Sequence, residues 1–563
     1  MTVPDQGVGA SRSRLSAARA VLLVVVALIG PLVSLVAFGS TGRDDPYITF
    51  AAAEAFREHL SIANVNGDPF EQSTSLLFTV VLALLGALLP ISTFNLGWAL
   101  GFVGLSTVGV LSLLVLRSYI GRGLAALGAV AITVLPPLSY WAASGAEQTW
   151  VVASLIAVVL MASPTFLSRG RRSRWVAAPV LVLTTFLLRP DAGLAALAGL
   201  VAVALLAAMP ARESWGPWRQ LARMSALSLA LIALVTVGRA LLSGTFLPQS
   251  VMAKAQPGYE AWDWAYVATN AVLPYFLVII VAGALVAFGY RGHLPRMDRQ
   301  QALLVFVSFA LLLLLMRSGP DWMEAGRLWL PPAALLTLVV LTRMAGVTRI
   351  QSAALVSGVL VVNLVSIAVW SIDTSRATFG VGLSGSRPGD RWELVDSPEP
   401  REFWAPADGA YNAWNAVHAK DAQFLTVAIP LIRDYLERSP GRPVTVGAGD
   451  AGMVFYFLGH EFGDQLEFVD RWSLVSPSFS GCSDVNRTPV GTGMSFGKWF
   501  QWIEESRDCV PQMPDIIFDN ASPGEKELEY YELVFQQQGA WVRQKADVAY
   551  GNAMWLAFRK ELP

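Results

Sequence analysis

Apolar runs long enough to cross the roughly 30 Å hydrocarbon core of a bilayer recur from Ala20 to Trp370 and then stop. They lie at 20–39, 75–95, 97–116, 123–140, 149–167, 175–188, 191–209, 223–242, 268–289, 301–316, 328–342 and 352–370. Each predicts an apolar helix. From Ser371 to Pro563 the chain turns polar, with short β-like runs such as "RPVTVGAGD" and "PDIIFDN" among Gly, Pro, Asp and Trp. This change of pattern predicts a soluble α/β domain behind a helical membrane domain.

The linkers between the apolar runs differ in charge. "RSYIGR" (117–122), "SRGRRSR" (168–174), the 211–224 linker with Arg212, Arg219 and Arg223, "YRGHLPRMDR" (290–299) and "TRMAGVTR" (342–349) are basic. The positive-inside rule assigns basic linkers to the cytoplasm, and so does it the N-terminal segment with Arg12, Arg14 and Arg19. Twelve crossings would put "RSYIGR" outside. If the run at 75–95 dips in and returns, or lies along the surface as a hairpin, every basic linker is cytoplasmic. The expected fold is therefore an α-helical polytopic membrane protein of about 11 transmembrane helices, carrying a C-terminal exported α/β soluble domain. The expected boundaries are 1–19 for the cytoplasmic N-terminus, 20–371 for the membrane domain with an exported first loop at 40–74, and 372–563 for the exported domain. The first run reads as an uncleaved anchor, because "AFGSTG" is a poor cleavage site and many spans follow.

Composition agrees with the pattern. Of 563 residues, 54% are hydrophobic and only 15% charged, whereas a soluble domain has about 25% charged residues. A net charge of −1 excludes a broadly basic nucleic-acid binder. Both cysteines, Cys482 and Cys509, fall in the C-terminal part. In an exported domain they are expected to form one disulfide, worth about 3 kcal/mol in the chain-entropy estimate; two unpaired buried thiols are the alternative.

The odd span count also gathers five other segments on the exported side: 42–74, 139–149, 188–193, 244–255 and 317–329. Ionisable groups at membrane depth are costly and are usually functional or paired. Asp44 and Asp45 follow the first span, with Pro46 placed as a first helical residue of a helix over 46–60. Asp45 suits an N-cap. A second carboxylate beside it suits a general base or an ion ligand, since adjacent like charges raise one pKa unless a cation holds both ionised. Further on, Asn66, Asp68, Glu71, Gln72, Ser73 and Thr74 offer sugar-binding chemistry or simple loop solvation. Glu147 in "SGAE" suits a helix N-terminus. Arg189 and Asp191 in "RPD" suit a hairpin-closing salt bridge. Lys254 and Arg327 stand outside the positive-inside pattern, and isolated cations there suit a bound anion such as a phosphate ester.

"VTVGAGDAG" holds Gly447, Gly449 and Gly452 in dinucleotide-fingerprint spacing, with Asp470 about 18 residues on. It reads as a strand, a tight turn and a helix. His59, His293, His418 and His460 show no metal-ligand spacing.

"DDPYI", "EQSTSLLFT", "SGAEQTWV", "LRPDAGL", "GTFLPQSVMAKA" and "GPDWMEAGRLWLPP", in that order, resemble the GT-C class of membrane glycosyltransferases that use polyprenyl-phosphate sugars. The likeness covers residues of about 40–335 and is greatest to the actinobacterial terminal β-(1→2)-arabinofuranosyltransferases of cell-wall arabinan. It implies transfer of a sugar, D-arabinofuranose in that family, from a polyprenyl-phosphate donor to a cell-envelope glycan acceptor at the cell membrane. It implies that Asp44 and Asp45 supply the catalytic carboxylate. Arg189, Lys254 and Arg327 would hold the lipid phosphate, and Glu147, Asp191, Asp321 and Trp322 would contact sugar; Gln72, from the polar 66–74 stretch, is a further substrate-binding candidate. The chain reads "SGAE" and "GPDW" where the family pattern has "SGLE" and "GGDF", which bears on sugar identity more than on reaction class. No cofactor is required by these motifs, and a divalent cation beside the acids is left open. The competing readings are a transporter or flippase of a polyprenyl-linked glycan, expected to carry its ionisable groups near the bilayer midplane and internal repeats, and a membrane scaffold with an exported binding domain.

Overall fold

A computed structural model describes residues 7–38, 44–69, 71–162, 173–209, 218–243, 245–248, 251, 273–289, 296–318, 327–344, 347–372, 420–439, 441–448, 452–470, 513–519, 531–537, 541–545, 548–551 and 554–560. The membrane part contains α1 (Gly7–Phe38), α2 (Asp44–His59), α3 (Leu76–Leu88), α4 (Thr93–Leu116), α5 (Arg122–Thr133), α6 (Pro136–Ala143) and α7 (Gln148–Met161), then α8 (Ser173–Leu188), α9 (Pro190–Ala207), α10 (Trp218–Ser243), α11 (Leu273–Gly289), α12 (Arg299–Ser318), α13 (Leu330–Arg343) and α14 (Arg349–Ile372). Among the described residues six helices are long and apolar enough to cross a membrane, or seven if α5 and α6, bent by 59°, form one span. The bend has a local cause. Pro136 and Pro137 open α6, and a proline cannot continue the hydrogen-bond ladder of the preceding helix.

Helix α4, at 24 residues, is about 36 Å long, so it separates two ends of the bundle. At its start the Thr93 hydroxyl donates to Glu54 of α2, and the Phe94 ring stacks on Tyr47 of α2 at 5.7 Å. At its far end the Tyr119 hydroxyl donates to Asp298 at 2.7 Å, while Arg343 donates to Gln301 at 3.3 Å. The basic stretches around 117–122, 296–299 and 342–349 thus meet at one end, as the charge pattern predicts. Residues 168–172 and 211–217 of the other two basic linkers lie outside the described residues.

The run at 75–95 does not form one long helix. It breaks between α3 and α4, and α3 turns back along α2: its approach is tied by a 2.9 Å bond between the hydroxyls of Ser73 and Thr49, and its end packs near Arg57, whose Nη1 would lie 3.4 Å from a Cβ at Gly86. Close packing of α4 on the elbow between α6 and α7 depends on missing side chains. Gly145 adopts φ +76° against the backbone of Gly97 and Trp98, and a Cβ on Gly101 would fall 2.2 Å from the Ala142 carbonyl oxygen. Small residues at such seams let membrane helices approach closely.

The C-terminal part contains α15 (Lys420–Arg438), β1 (Val444–Ala448), α16 (Met453–Phe462), β2 (Leu466–Asp470), β3 (Ile516–Asp519), β4 (Tyr531–Gln537), β5 (Trp541–Lys545), β6 (Val548–Gly551) and β7 (Met554–Arg559). Five strands form a sheet in the order β2-β1-β3-β7-β4, and β5 pairs with β6 apart from it. Strands β2, β1 and β3 are parallel, with β7 and β4 antiparallel to their neighbours. The glycine-rich stretch is the predicted strand and helix: Gly447 lies in β1, Gly452 precedes α16, and Asp470 ends β2 opposite Ala448. Asp515, just before β3, accepts two 2.7 Å bonds from Arg442 and one of 3.0 Å from the Thr445 amide. Cys482 and Cys509 lie outside the described residues, and so does their expected disulfide.

Candidate functional site

Helix α2 begins at Asp44, one residue earlier than the expected cap at Asp45. Two residues later Pro46 supplies a backbone angle suited to a first turn. The carboxylate of Asp45 turns to a distant partner: Nη1 of Arg327 donates to it, from the short 3-10 turn Arg327–Trp329 that leads into α13. Both side chains are about nine-tenths buried. The Arg327 guanidinium also lies 5.8 Å from the ring centroid of Trp141, a fully buried residue of α6. A planar guanidinium suits both contacts at once. This corrects the expectation that Arg327 is an isolated cation.

Arg189 is the N-cap of α9, with Pro190 as the first helical residue and Asp191 in the first turn. Its Nε donates to Asp191 at 3.1 Å and its Nη1 to Glu147 at 3.4 Å. The hairpin salt bridge expected of "RPD" is therefore present, and it extends to a second carboxylate. Glu147 does occupy the N-cap position of α7, but its side chain makes no capping bond. It accepts from Arg189 and, at 3.0 Å, from Gln148 Nε2. The fully buried Gln148 has no hydrogen-bond partner for its Oε1 among the described residues.

A third pair was not singled out by sequence. Arg239, near the end of α10, donates to Glu71 at 2.5 and 3.2 Å, and each side chain is 5% exposed. Burial pushes the Glu71 carboxyl above its ordinary value, against the pull of Arg239. The available signal was an arginine inside the apolar run "VTVGRALL", where a charge survives only with a partner. Beside it, Gln72 Oε1 accepts the Val65 amide at 3.0 Å, while its buried Nε2 has no partner among the described residues. Three acid–base groupings, drawn from α2, the 61–75 loop, the α6–α7 elbow, the α8–α9 turn, α10 and the turn before α13, thus lie at the end of the bundle where α4 begins.

Lys254, Asp321 and Trp322 lie outside the described residues, and so does the side chain of Asp44. Among the described residues no group of three or more His, Cys, Asp or Glu could hold a metal ion.

No protein-family model matches the chain, and no curated protein matches it. Solved structures do. Apo ArnT from Cupriavidus metallidurans aligns with a TM-score of 0.55 at 16% identity, over 96% of this chain and 98% of that one. The same protein bound to undecaprenyl phosphate aligns with a TM-score of 0.52 at 15% identity over the same shares. The chain has a GT-C fold. A weaker likeness, with a TM-score of 0.47 at 11% identity, links 96% of the chain to 76% of the oligosaccharyltransferase AglB from Archaeoglobus fulgidus, in complex with an inhibitory peptide and a dolichol-phosphate.

Proposed function

We propose that this protein is a membrane glycosyltransferase that moves a sugar from a polyprenyl-phosphate donor to a cell-envelope glycan acceptor, with D-arabinofuranose as the sugar. The observation that carries this reading is the gathering of Asp45–Arg327 and Glu147–Arg189–Asp191 at one end of a GT-C bundle. ArnT, whose fold it shares across nearly the whole chain, has been crystallised with undecaprenyl phosphate. In our reading the site end is exported, the C-terminal sheet lies on the same side, and eleven spans cross the bilayer: α1, α4, the bent pair α5–α6, and α7 through α14.

In the reaction an acceptor hydroxyl oxygen bonds to the anomeric carbon as that carbon's bond to the phosphate oxygen breaks. The hydroxyl proton passes to a carboxylate, and polyprenyl phosphate leaves with one more negative charge than the diester carried. We assign the carboxylate to Asp44, because Asp45 already answers the charge of Arg327. Arg189, Lys254 and Arg327 are assigned to the phosphate, and Glu147, Asp191, Asp321, Trp322 and Gln72 to the sugars. As the donor phosphate approaches, it competes with Asp45 for Arg327. A transporter would carry its ionisable groups near the bilayer midplane, whereas Glu147, Arg189 and Arg327 stand at helix starts.

The test incubates membranes with polyprenyl-phosphate arabinose and an arabinan acceptor. Wild type is expected to extend the acceptor and Asp44→Ala to lose that activity. Full product formation by Asp44→Ala would remove the assigned role. Extension only with a different lipid-linked sugar would replace the donor and keep the class.

A further inference from the structure

The helix that begins at Asp44 is held from two sides, and one of them is the C-terminal sheet. Residues 64–68 form a turn closed on itself. Asn64 Oδ1 accepts the amides of Asn66 at 3.0 Å and Asp68 at 2.7 Å, its Nδ2 donates to Asp68 Oδ2 at 2.9 Å, and Gly67 sits at φ +83°. This turn presents the Asn66 amide to Phe468 in β2, the edge strand of the sheet. Asn66 Nδ2 donates to the Phe468 carbonyl at 2.7 Å and Asn66 Oδ1 accepts the Phe468 amide at 2.7 Å. One side chain thus makes both bonds that a neighbouring strand residue would make.

The contact continues inward. From α16, Tyr456 and Phe457 lie 5.3 and 5.4 Å from the ring of Tyr47, and Tyr456 lies 6.2 Å from Phe50. Tyr47 in turn packs on Phe50 and Phe94. Tyr47 is two residues from Asp45 and three from Asp44. The same turn reaches α2 by a second route: the Val65 amide donates to Gln72, and Ser73 bonds to Thr49.

We propose that Asn66 is a positioning residue: with Tyr456 and Phe457 it clamps the C-terminal sheet onto α2, so that the sheet sets the place of the carboxylates at the start of that helix instead of serving only to dock the acceptor. This inference rests on the glycosyltransferase reading. A small misplacement of a reacting group is enough to cost rate, since positioning accounts for much of the barrier lowering.

The test compares wild type with Asn66→Ala as full-length protein. The variant is expected to lose about tenfold or more in kcat at saturating donor and acceptor, with acceptor KM changed by less than about twofold. An unchanged kcat with a raised acceptor KM would overturn the proposal and leave the sheet as an acceptor-docking module. Hydrogen exchange of residues 44–59 reads the clamp without any activity, so it also tests the junction if the donor reading fails. Exchange there is expected to quicken by about tenfold in Asn66→Ala while α4 stays as protected as in wild type. Unchanged exchange in α2 would equally overturn the proposal, and intact protection of α4 excludes loss of the fold.

Discussion

Asp45 and Arg327 meet across 282 residues of chain, with both side chains about nine-tenths buried. Pairs of this kind contribute little when both partners are compared with apolar replacements, yet breaking one is severe because a charge is left buried alone. Asp45→Asn is therefore expected to destabilise the protein by about 3–5 kcal/mol, and Arg327→Gln by a comparable amount. The double variant is expected to cost much less than the sum, a coupling that thermal unfolding of the four proteins in detergent would measure. Strictly additive losses would mean that the two side chains do not depend on each other. Arg327→Lys keeps the charge, but a compact ammonium cannot bind a carboxylate and cover the Trp141 ring together.

At the scale of elements, the 61–75 loop is the piece whose role changed most between sequence and structure. Its polar density reads from sequence as either sugar binding or solvation. In the fold Asn64, Asn66, Glu71, Ser73 and the Oε1 of Gln72 bond to the loop itself, to α10, to α2 and to β2, and among the described residues Gln72 Nε2 is left without a partner. The C-terminal sheet has a comparable tie at Asp515. Burial works against its charged form, but the Arg442 hydrogen bonds, the Thr445 amide and the nearby Arg442 and Arg559 charges together hold its carboxyl below the ordinary 3.8. A carboxylate depressed on folding adds stability that is complete well above that ordinary value and fades as pH falls through the folded one. Protection of β1 and β3 amides is thus expected to decline as pH drops below the ordinary carboxylate range, and Asp515→Asn should remove that decline while lowering protection at neutral pH. An identical pH course in both proteins would deny the tie.

At the scale of the whole molecule, the two ends of the bundle make an orientation testable. Leu60, highly exposed just past α2, lies toward the end where α4 begins, whereas the exposed Ser118 follows the end of α4. In our topology, Leu60→Cys is labelled by an impermeant maleimide in intact cells and Ser118→Cys only after permeabilisation, with Cys482 and Cys509 replaced. The reverse pattern would invert the protein in the membrane.

The apolar runs along the chain were enough to place most helices of the membrane part, because a segment in hydrocarbon must satisfy its own backbone bonds whatever lies beside it. The charge of the linkers foretold that those at 117–122, 296–299 and 342–349 meet, and the strand–turn–helix at Val444–Phe462 was legible from its glycines and apolar runs. Pairing was not legible. Arg327 stands alone in the sequence, Glu147 sits at the N-cap position its sequence suits but gives no sign there of Arg189, and Arg239 gives no sign of Glu71, because the partner of a buried charge is chosen by which helices pack together and not by what precedes it in the chain. The sequence alone determined that the chain makes apolar helices with charges at their ends and a polar α/β part behind them. Only the tertiary structure decided which acid answers which base, and that β2 at the sheet edge bonds the turn after α2 while α16 packs on α2 itself, since both depend on contacts between segments as far apart in the chain as Tyr47 and Phe457.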